Sequence, residues 1–530
     1  MNSDGSAAND RLIDTLKGIL GADAVITAAE ERRFYSADVY SEGVHCAAAI
    51  RPKDVASLSK AVAAATRAGY AVIGRGGGMS YTNGYVPLRA DTITVDVGAL
   101  DRIVEVNRED MTITVEAGVT WKQIYDALTP LGLRLPFFGT FSGVRATVGG
   151  GLSQGALFMG TARYGQGADI VLGLQVVLAD GTLVTTGQGG FRNGKPFYRT
   201  YGPDLTGMFL HDSGAFGIKT RATLRMIETP AALDYGSFVF PDIESTALAL
   251  ADIARSGAAE EAYVFDPAST KKNLAAHNLG QDIKTLVKVI KGQGGLLRGL
   301  KEGAKMVAAG RDFIDGEVYS LHVVVAGRTA ESCTADLDEI RARAARHGGG
   351  EIANSIPKAV RADPFPPLNG VLGPRGDRWA ALNAKVAHSD AVKVITATER
   401  LLDGYKAEMK AHGIHMTRLM IAISNHAFSY EPVFHWSDEW LPVHKRTPEP
   451  AHLKSLGPEP KADPAARALV HKIRAEVVAL FADFGASSNQ IGKLYPYLSS
   501  LEPGAARLVK SFKAEVDPDG QLNPGVLGFP

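Results

Sequence analysis

Directly after the short apolar run at residues 71–73, four of the next five residues are glycine: Gly74, Gly76, Gly77 and Gly78, interrupted by Arg75 and followed by Met79, Ser80, Tyr81 and Thr82. A strand running into such a loop sets unobstructed backbone N–H groups, with the Ser80 and Thr82 hydroxyls, around a concave space suited to a phosphate or pyrophosphate. The spacing is neither the Gly-x-Gly-x-x-Gly that opens a dinucleotide-binding helix nor the Gly-Lys-Ser/Thr of an ATP-binding loop, which weakens the nicotinamide and ATP readings. Taken alone, a flexible structural turn fits the same residues.

The surroundings read as mixed α and β structure. Val55, Leu58, Val62 and Ala65 fall at helical spacing over residues 55–67, so helix, turn and strand lead into the glycine loop. Ile93, Val95 and Val97 alternate with polar neighbours, as do Met111, Ile113 and Val115, and residues 121–131 have the length and pattern of a helix. The apolar stretch 170–179, then Asp180-Gly181 and residues 182–186, predicts a hairpin. Two proline-rich passages, one from Pro357 to Pro374 and one from Pro448 to Pro464, read as ordered loops or crossings between subdomains. With 530 residues, the chain is long enough for two or three cores at roughly 100 to 200 residues each.

A second glycine cluster narrows the choice. Residues 136–155 read PFFGTFSGVRATVGGGLSQG, and Arg163-Tyr164-Gly165 leads through Asp169 into VLGLQVVLADG at 171–181. Together with the loop at 74–80, with PDLTGMFLHDSGAFGIKT at 203–220, and with Asp517-Pro518 and Leu522-Asn523-Pro524-Gly525 near the C-terminus, this order of blocks resembles the vanillyl-alcohol oxidase and p-cresol methylhydroxylase superfamily. The resemblance implies an α+β fold: a two-subdomain FAD-binding domain of the p-cresol methylhydroxylase (PCMH) type at 1–228, an α+β substrate or cap domain with an antiparallel sheet at 229–480, and a segment at 481–530 returning to the FAD domain. It places Arg75, Gly76, Gly77, Gly78, Met79 and Ser80 with Thr147, Val148, Gly149 and Gly150 around the FAD pyrophosphate and flavin. Gly155, Tyr164 and Asn523 are further cofactor contacts, and Gly217 and Ile218 lie near the adenine. Several branches attach the flavin to a histidine at the position of Met79. A thioether does not substitute for it, and noncovalent FAD is expected unless a His or Tyr of the middle domain makes the bond.

For the substrate, residues 418–423 predict a strand, Ser424-Asn425-His426 a turn, then a loop holding Tyr430 and Glu431, and Phe434-His435-Trp436 a returning strand. This resembles the H-x-G-D-G-N-x-H hairpin of flavin-dependent D-2-hydroxy acid dehydrogenases, lengthened by two residues, and would make His426 and His435 bases or ligands. The Glu-His-Gly of those enzymes is replaced by Ser487-Ser488-Asn489-Gln490, so no metal is expected. Residues 493–497, KLYPY, point elsewhere. Phenol-oxidising members hold their substrate as phenolate with tyrosines and a cation from this neighbourhood, which implies Tyr495 and Lys493 here, with Pro496 where an arginine is usual. His426 and His435 also read as hydrogen-bonded structural residues, Trp436 and Trp440 as core or pocket wall, and residues 375–379 as an anion clamp or a surface turn. The expected activity is FAD-dependent hydride removal from a hydroxylated, aromatic small molecule, a benzylic alcohol or para-substituted phenol. The alternatives are a D-2-hydroxy acid dehydrogenase and a flavin-binding protein without turnover.

Composition bounds the partners. Lys plus Arg equals Asp plus Glu at 57 each, which gives no general attraction to nucleic acid. Only Cys46 and Cys333 occur, far apart, so neither a disulfide framework nor a cysteine metal site is indicated. No secretory h-region and no run of 18 apolar residues is found, and a cytoplasmic homo-oligomer is expected, with no electron acceptor named by the sequence. Residues 271–311 mix basic with apolar side chains and suit contact with an anionic inner membrane face, an acidic redox partner, or solvent.

Overall fold

The computed structural model describes residues 3–269, 318–373 and 375–530, so the basic stretch 271–311 lies outside the described residues. The helix Val55–Arg67 forms where its apolar spacing requires: Asp54 caps it by accepting from the Ser57 N–H, and Leu58, Ala61, Val62 and Ala65 are buried. It crosses between two parallel partners of the strand Thr92–Asp96, namely Ala48–Ile50 and Ala71–Arg75, in a four-stranded sheet whose remaining strand is Val25–Ile26. The glycine loop therefore leaves the end of a buried, parallel-paired edge strand, where the backbone turns away from the sheet.

A second sheet is antiparallel, in the order Ile103–Asn107, Thr112–Glu116, Ile218–Arg225, Val171–Val177 and Leu183–Thr185. Its last pair is the hairpin anticipated around Asp180-Gly181, with Gly181 at φ +87°. The helix Trp121–Leu128 stops one turn earlier than its apolar pattern suggests. Pro130 follows, and residues 129–131 tighten into a 3₁₀ turn.

The third sheet is the largest: Gly350–Glu351, Ala232–Phe240, Tyr319–Gly327, Glu261–Phe265, His415–Ile423, Ala427–Trp436 and Arg378–Ala381, with Ala384–Ala387 also pairing to Ala427–Trp436, all antiparallel. Its two faces have different neighbours. Met420, Ala422, Phe428, Tyr430, Phe434 and Trp436 share a core with the helices Ile243–Ser256, Ala330–Arg346, Ala391–Gly404 and Pro464–Asp483. Tyr263, Leu419 and Ile421 belong instead to the core of the second sheet, so this face lies over the first part of the chain. No loop surrounds Tyr430 and Glu431, in contrast to the sequence reading. The strand starts at Ala427 and pairs residue by residue with His415–Ile423. Pro432, which cannot donate to a ladder and reads as a strand breaker, sits within it opposite Arg418.

The C-terminal segment returns to the first sheet. Leu522 bridges Val72 in parallel, the Val72 N–H donates to the Gln521 carbonyl at 2.8 Å, and the Asn523 N–H donates to the Val72 carbonyl at 3.0 Å. The first two sheets thus form one α+β body, and the large antiparallel sheet with its helices forms a second α+β body joined to it.

Candidate functional site

Between these two bodies lies a cavity of about 520 Å³, a size ordinary for a small-molecule or cofactor site. One wall is nearly all backbone. Arg75, Gly76, Gly77, Gly78, Met79 and Ser80 line it, facing Thr147, Gly149 and Gly150 at the start of the helix Val148–Gln154. Thr147 caps that helix, accepting the Gly150 N–H at 3.2 Å. The two glycine clusters meet so closely that side chains have no room: a Cβ on Gly76 would lie 2.3 Å from Thr147 Oγ1, and one on Gly77 would lie 2.0 Å from the Arg145 carbonyl oxygen. Gly78 takes φ +73°, which L residues rarely adopt. Gly155, Gly217 and Ile218 extend this wall.

The opposite wall comes from the large sheet and is apolar: Trp379, Leu419 and Ile421, with Tyr81 at an edge-to-face distance of 5.2 Å from Trp379. Glu431 is the acid on it. The pairing Leu419↔Glu431 puts this carboxyl beside Leu419 on the cavity side, while its neighbours Tyr430 and Pro432 turn inward. Burial pushes the carboxyl pKa up to about 7, partly opposed by the Asn383 carboxamide, whose N–H donates to Glu431 Oε2. The Asn383 backbone N–H donates to the Tyr495 hydroxyl at 2.7 Å. Burial, and then the Glu431 charge, hold the Tyr81 phenol well above its usual range.

Of the residues expected to touch a cofactor, twelve line the cavity and three do not. Val148 is buried behind its glycine neighbours, and Tyr164 lies under the Arg134 guanidinium, 5.8 Å from the ring centroid. Asn523 is a strut: its side-chain N–H donates to the carbonyls of Gly84 at 2.7 Å and Ser213 at 2.6 Å, and both of those residues are on the wall. The four residues expected to do chemistry are not brought together. Tyr495 does not line the cavity: its hydroxyl accepts the Asn383 N–H, and Asn383 in turn holds Glu431 of the wall. Lys493 donates to Asn523 Oδ1 at 2.8 Å, with burial lowering its pKa to about 7 against the pull of Asp38. His426 is exposed in the hairpin turn, and His435 bonds Thr417 Oγ1 at 2.8 Å while stacking on His415 at 4.9 Å. Arg378, in the stretch read as clamp or turn, is neither. It is buried and ion-paired to Asp438 at 3.0 Å, beneath which Trp436 is core.

Sequence reading missed Glu431, Trp379, Tyr81, Leu419, Ile421 and Asn383. Period-two alternation of Phe428, Tyr430, Phe434 and Trp436 was the available signal for Glu431, since it leaves the odd-numbered residues on the other face. The residues present suit FAD: a wall of glycine backbone for phosphates, an apolar wall for a ring system, and buried polar atoms of lining residues, Arg75 Nε and Nη2, Tyr85 Oη, Trp379 Nε1 and Asn489 Oδ1, that have no hydrogen-bond partner among the described residues. Among the described residues no three His, Cys, Asp or Glu side chains gather in the geometry of a metal site.

Residues 46–187 match the FAD binding domain family. The chain is 28% identical over 258 residues to D-lactate dehydrogenase [cytochrome] 1, mitochondrial, of Saccharomyces cerevisiae, covering 47% of this chain and 42% of that one. It is 28% identical over 259 residues to a probable mitochondrial D-lactate dehydrogenase of Danio rerio, covering 48% and 50%. The chain thus spans about half the length of the curated relatives it matches. A solved structure of p-cresol methylhydroxylase with substrate bound superimposes over 99% of this chain and 97% of that one, at a TM-score of 0.73 and 19% identity.

Proposed function

We propose, from the premise that this chain carries the FAD-binding domain of the vanillyl-alcohol oxidase and p-cresol methylhydroxylase superfamily, that it is an FAD-dependent oxidoreductase acting on a neutral, hydroxylated aromatic small molecule. FAD, held by the backbone of residues 74–80 and 147–150, supplies the two-electron acceptor. Trp379, Tyr81, Leu419 and Ile421 hold the substrate's ring and exclude water from it. Glu431 takes the hydroxyl proton. A carboxylate whose pKa is raised to about 7 is half ionised near neutral pH and is a stronger base than an exposed one. Asn383 orients that carboxylate through its side chain and the Tyr495 hydroxyl through its backbone.

The observation that carries this reading is the acid set in an apolar wall. An anionic substrate would meet Glu431 without a matching cation, because the cations on the cavity wall, Arg75 and Lys219, belong to the glycine side and Lys219 is already paired with Asp212 at 2.6 Å. Oxidation of a D-2-hydroxy acid is the second reading, favoured by the names of the two sequence relatives. Anaerobic mixing with benzylic alcohols, para-alkyl phenols and D-2-hydroxy acids tests both: rapid bleaching of the flavin band by the first two classes is expected. Bleaching by hydroxy acids alone would replace this reading with the second, and no bleaching by any of them would favour a flavin-binding protein without turnover.

The cofactor is held noncovalently in this reading. Among the described residues, no histidine, no cysteine and no tyrosine of the middle domain lines the cavity, and Met79 packs toward the core of the large domain. Acid precipitation should release the yellow colour to the supernatant.

A further inference from the structure

One stretch of the first domain keeps its aromatic side chains in water. Leu183, Phe191, Phe197, Tyr198, Tyr201 and Leu205 are each between 43% and 71% exposed, and they account for much of the large exposed apolar surface of the described residues. The stretch leaves the edge strand Leu183–Thr185 of the second sheet and returns at the short helix Leu205–Met208. It does not dangle. The Gln188 N–H donates to the Tyr198 carbonyl at 2.8 Å, and the Arg199 guanidinium donates to the Ala168 carbonyl at 2.9 Å and to Asp204 at 2.8 Å. The Phe191 and Tyr201 rings lie 5.5 Å apart on its outside. A pinned excursion that turns aromatic rings outward is the pattern of a contact surface.

Charge says what the contact is. Arg192 and Lys195 stand exposed among these rings, Lys195 reaching Asp110 at 3.8 Å, and the single acid of residues 183–205, Asp204, is already paired with Arg199, so the stretch is net positive although the whole chain is electrically balanced. Aromatic rings between exposed cations match the interface of an anionic lipid layer, where rings settle at headgroup depth and cations pair with phosphates. A two-fold pairing with a second copy would set a positive patch against itself. We propose that residues 183–205 seat this protein on an anionic membrane surface as a peripheral contact. No helix among the described residues is long and apolar enough to cross a membrane. The contact is independent of the substrate reading.

Sedimentation of the full-length, FAD-loaded protein with phosphatidylcholine vesicles, with and without phosphatidylserine, tests it. The protein should pellet with the anionic vesicles and be released at high salt. The pairs F197S/Y201S and R192E/K195E should each lower the bound-to-free ratio at least tenfold while keeping the flavin spectrum and the circular dichroism of the parent. Failure of the parent to pellet with anionic vesicles would overturn the proposal. So would binding left unchanged by both pairs, which would assign the contact to another surface, and so would a parent dimer in light scattering that both pairs convert to monomer.

Discussion

The two walls of the cavity are built on opposite plans. The glycine wall is built from a few unbroken runs of sequence, made largely of backbone, and so tightly packed that a Cβ on Gly77 would strike a carbonyl oxygen. The sheet wall takes one or two side chains from each of several distant strands, and its one carboxyl depends on a neighbouring asparagine. The first is shaped to hold and cannot vary. The second is shaped to react and could be re-cut residue by residue. Damage to each wall should therefore have its own signature.

Gly77→Val strikes the holding wall hardest. Its new side chain would have to displace the Arg145 carbonyl, 2.0 Å away, and the Ala146 backbone behind it. The protein is expected to purify without flavin and to have no activity, as read from the ratio of flavin to protein absorbance. A yellow Gly77→Val protein would break the comparison at once. Glu431→Gln should do the reverse, keeping full FAD content while kcat/KM drops about 10²- to 10⁴-fold, the usual cost of a lost general base. Activity of the parent should rise with pH through about 7 as the Glu431 carboxyl loses its proton, and that limb should vanish in the variant.

The same contrast explains what was legible in the sequence. Phosphate binding needs glycines side by side, and residues 74–78 and 149–151 write that need into contiguous text. The second sheet's hairpin and the helix Val55–Arg67 were equally local. Glu431, by contrast, becomes a site residue only because Pro432 is tolerated inside a strand and because Leu419 is its partner across the ladder. Tyr495 and Lys493 come from the neighbourhood the family resemblance implies but do not line the cavity: the Tyr495 hydroxyl is held by the Asn383 N–H and the Lys493 ammonium by Asn523. Histidines read from a hairpin motif, His426 and His435, went to a turn and to the outer part of a ladder, places that motif spacing alone does not distinguish from a pocket.

What joins the two bodies should fail in a third way. Glu260, fully buried on the large domain, receives Arg134 of the first domain at 2.5 Å and Arg361 at 2.9 Å, and the paired arginines hold its carboxyl below its usual pKa despite burial. Glu260→Gln leaves the buried Arg134 guanidinium without its carboxylate, while Arg361 keeps Glu261; breaking a buried pair in this way typically costs about 3–5 kcal/mol. Thermal unfolding should move down by several degrees, while the flavin content at low temperature and the pH limb set by Glu431 should stay as they were. A variant that lost the limb instead would mean that the substrate wall is positioned through this ion pair.

The smallest effect separates burial of acids from burial of bases. His322, between the hydroxyls of Ser237 and Ser320, and His444, which accepts the Leu441 N–H and donates to the Val39 carbonyl, are both fully buried, and burial lowers each pKa to about 3. Between about 3 and the ordinary value of 6.5 the unfolded chain binds protons that the folded one refuses, so stability is whole above 6.5 and declines as pH falls, by up to roughly 1.4 kcal/mol per pH unit for each histidine. Glu431 runs the other way: its raised pKa means that stability declines as pH climbs from 4.5 toward about 7. The melting temperature should therefore fall on the acid side because of the histidines of the scaffold, and His444→Asn should flatten that fall. Glu431→Gln should leave the acid side alone and lift the neutral side. If each variant instead moved both sides, the reacting wall and the scaffold would be titrating as one coupled unit, and the division of labour between the two walls would not extend to their protons.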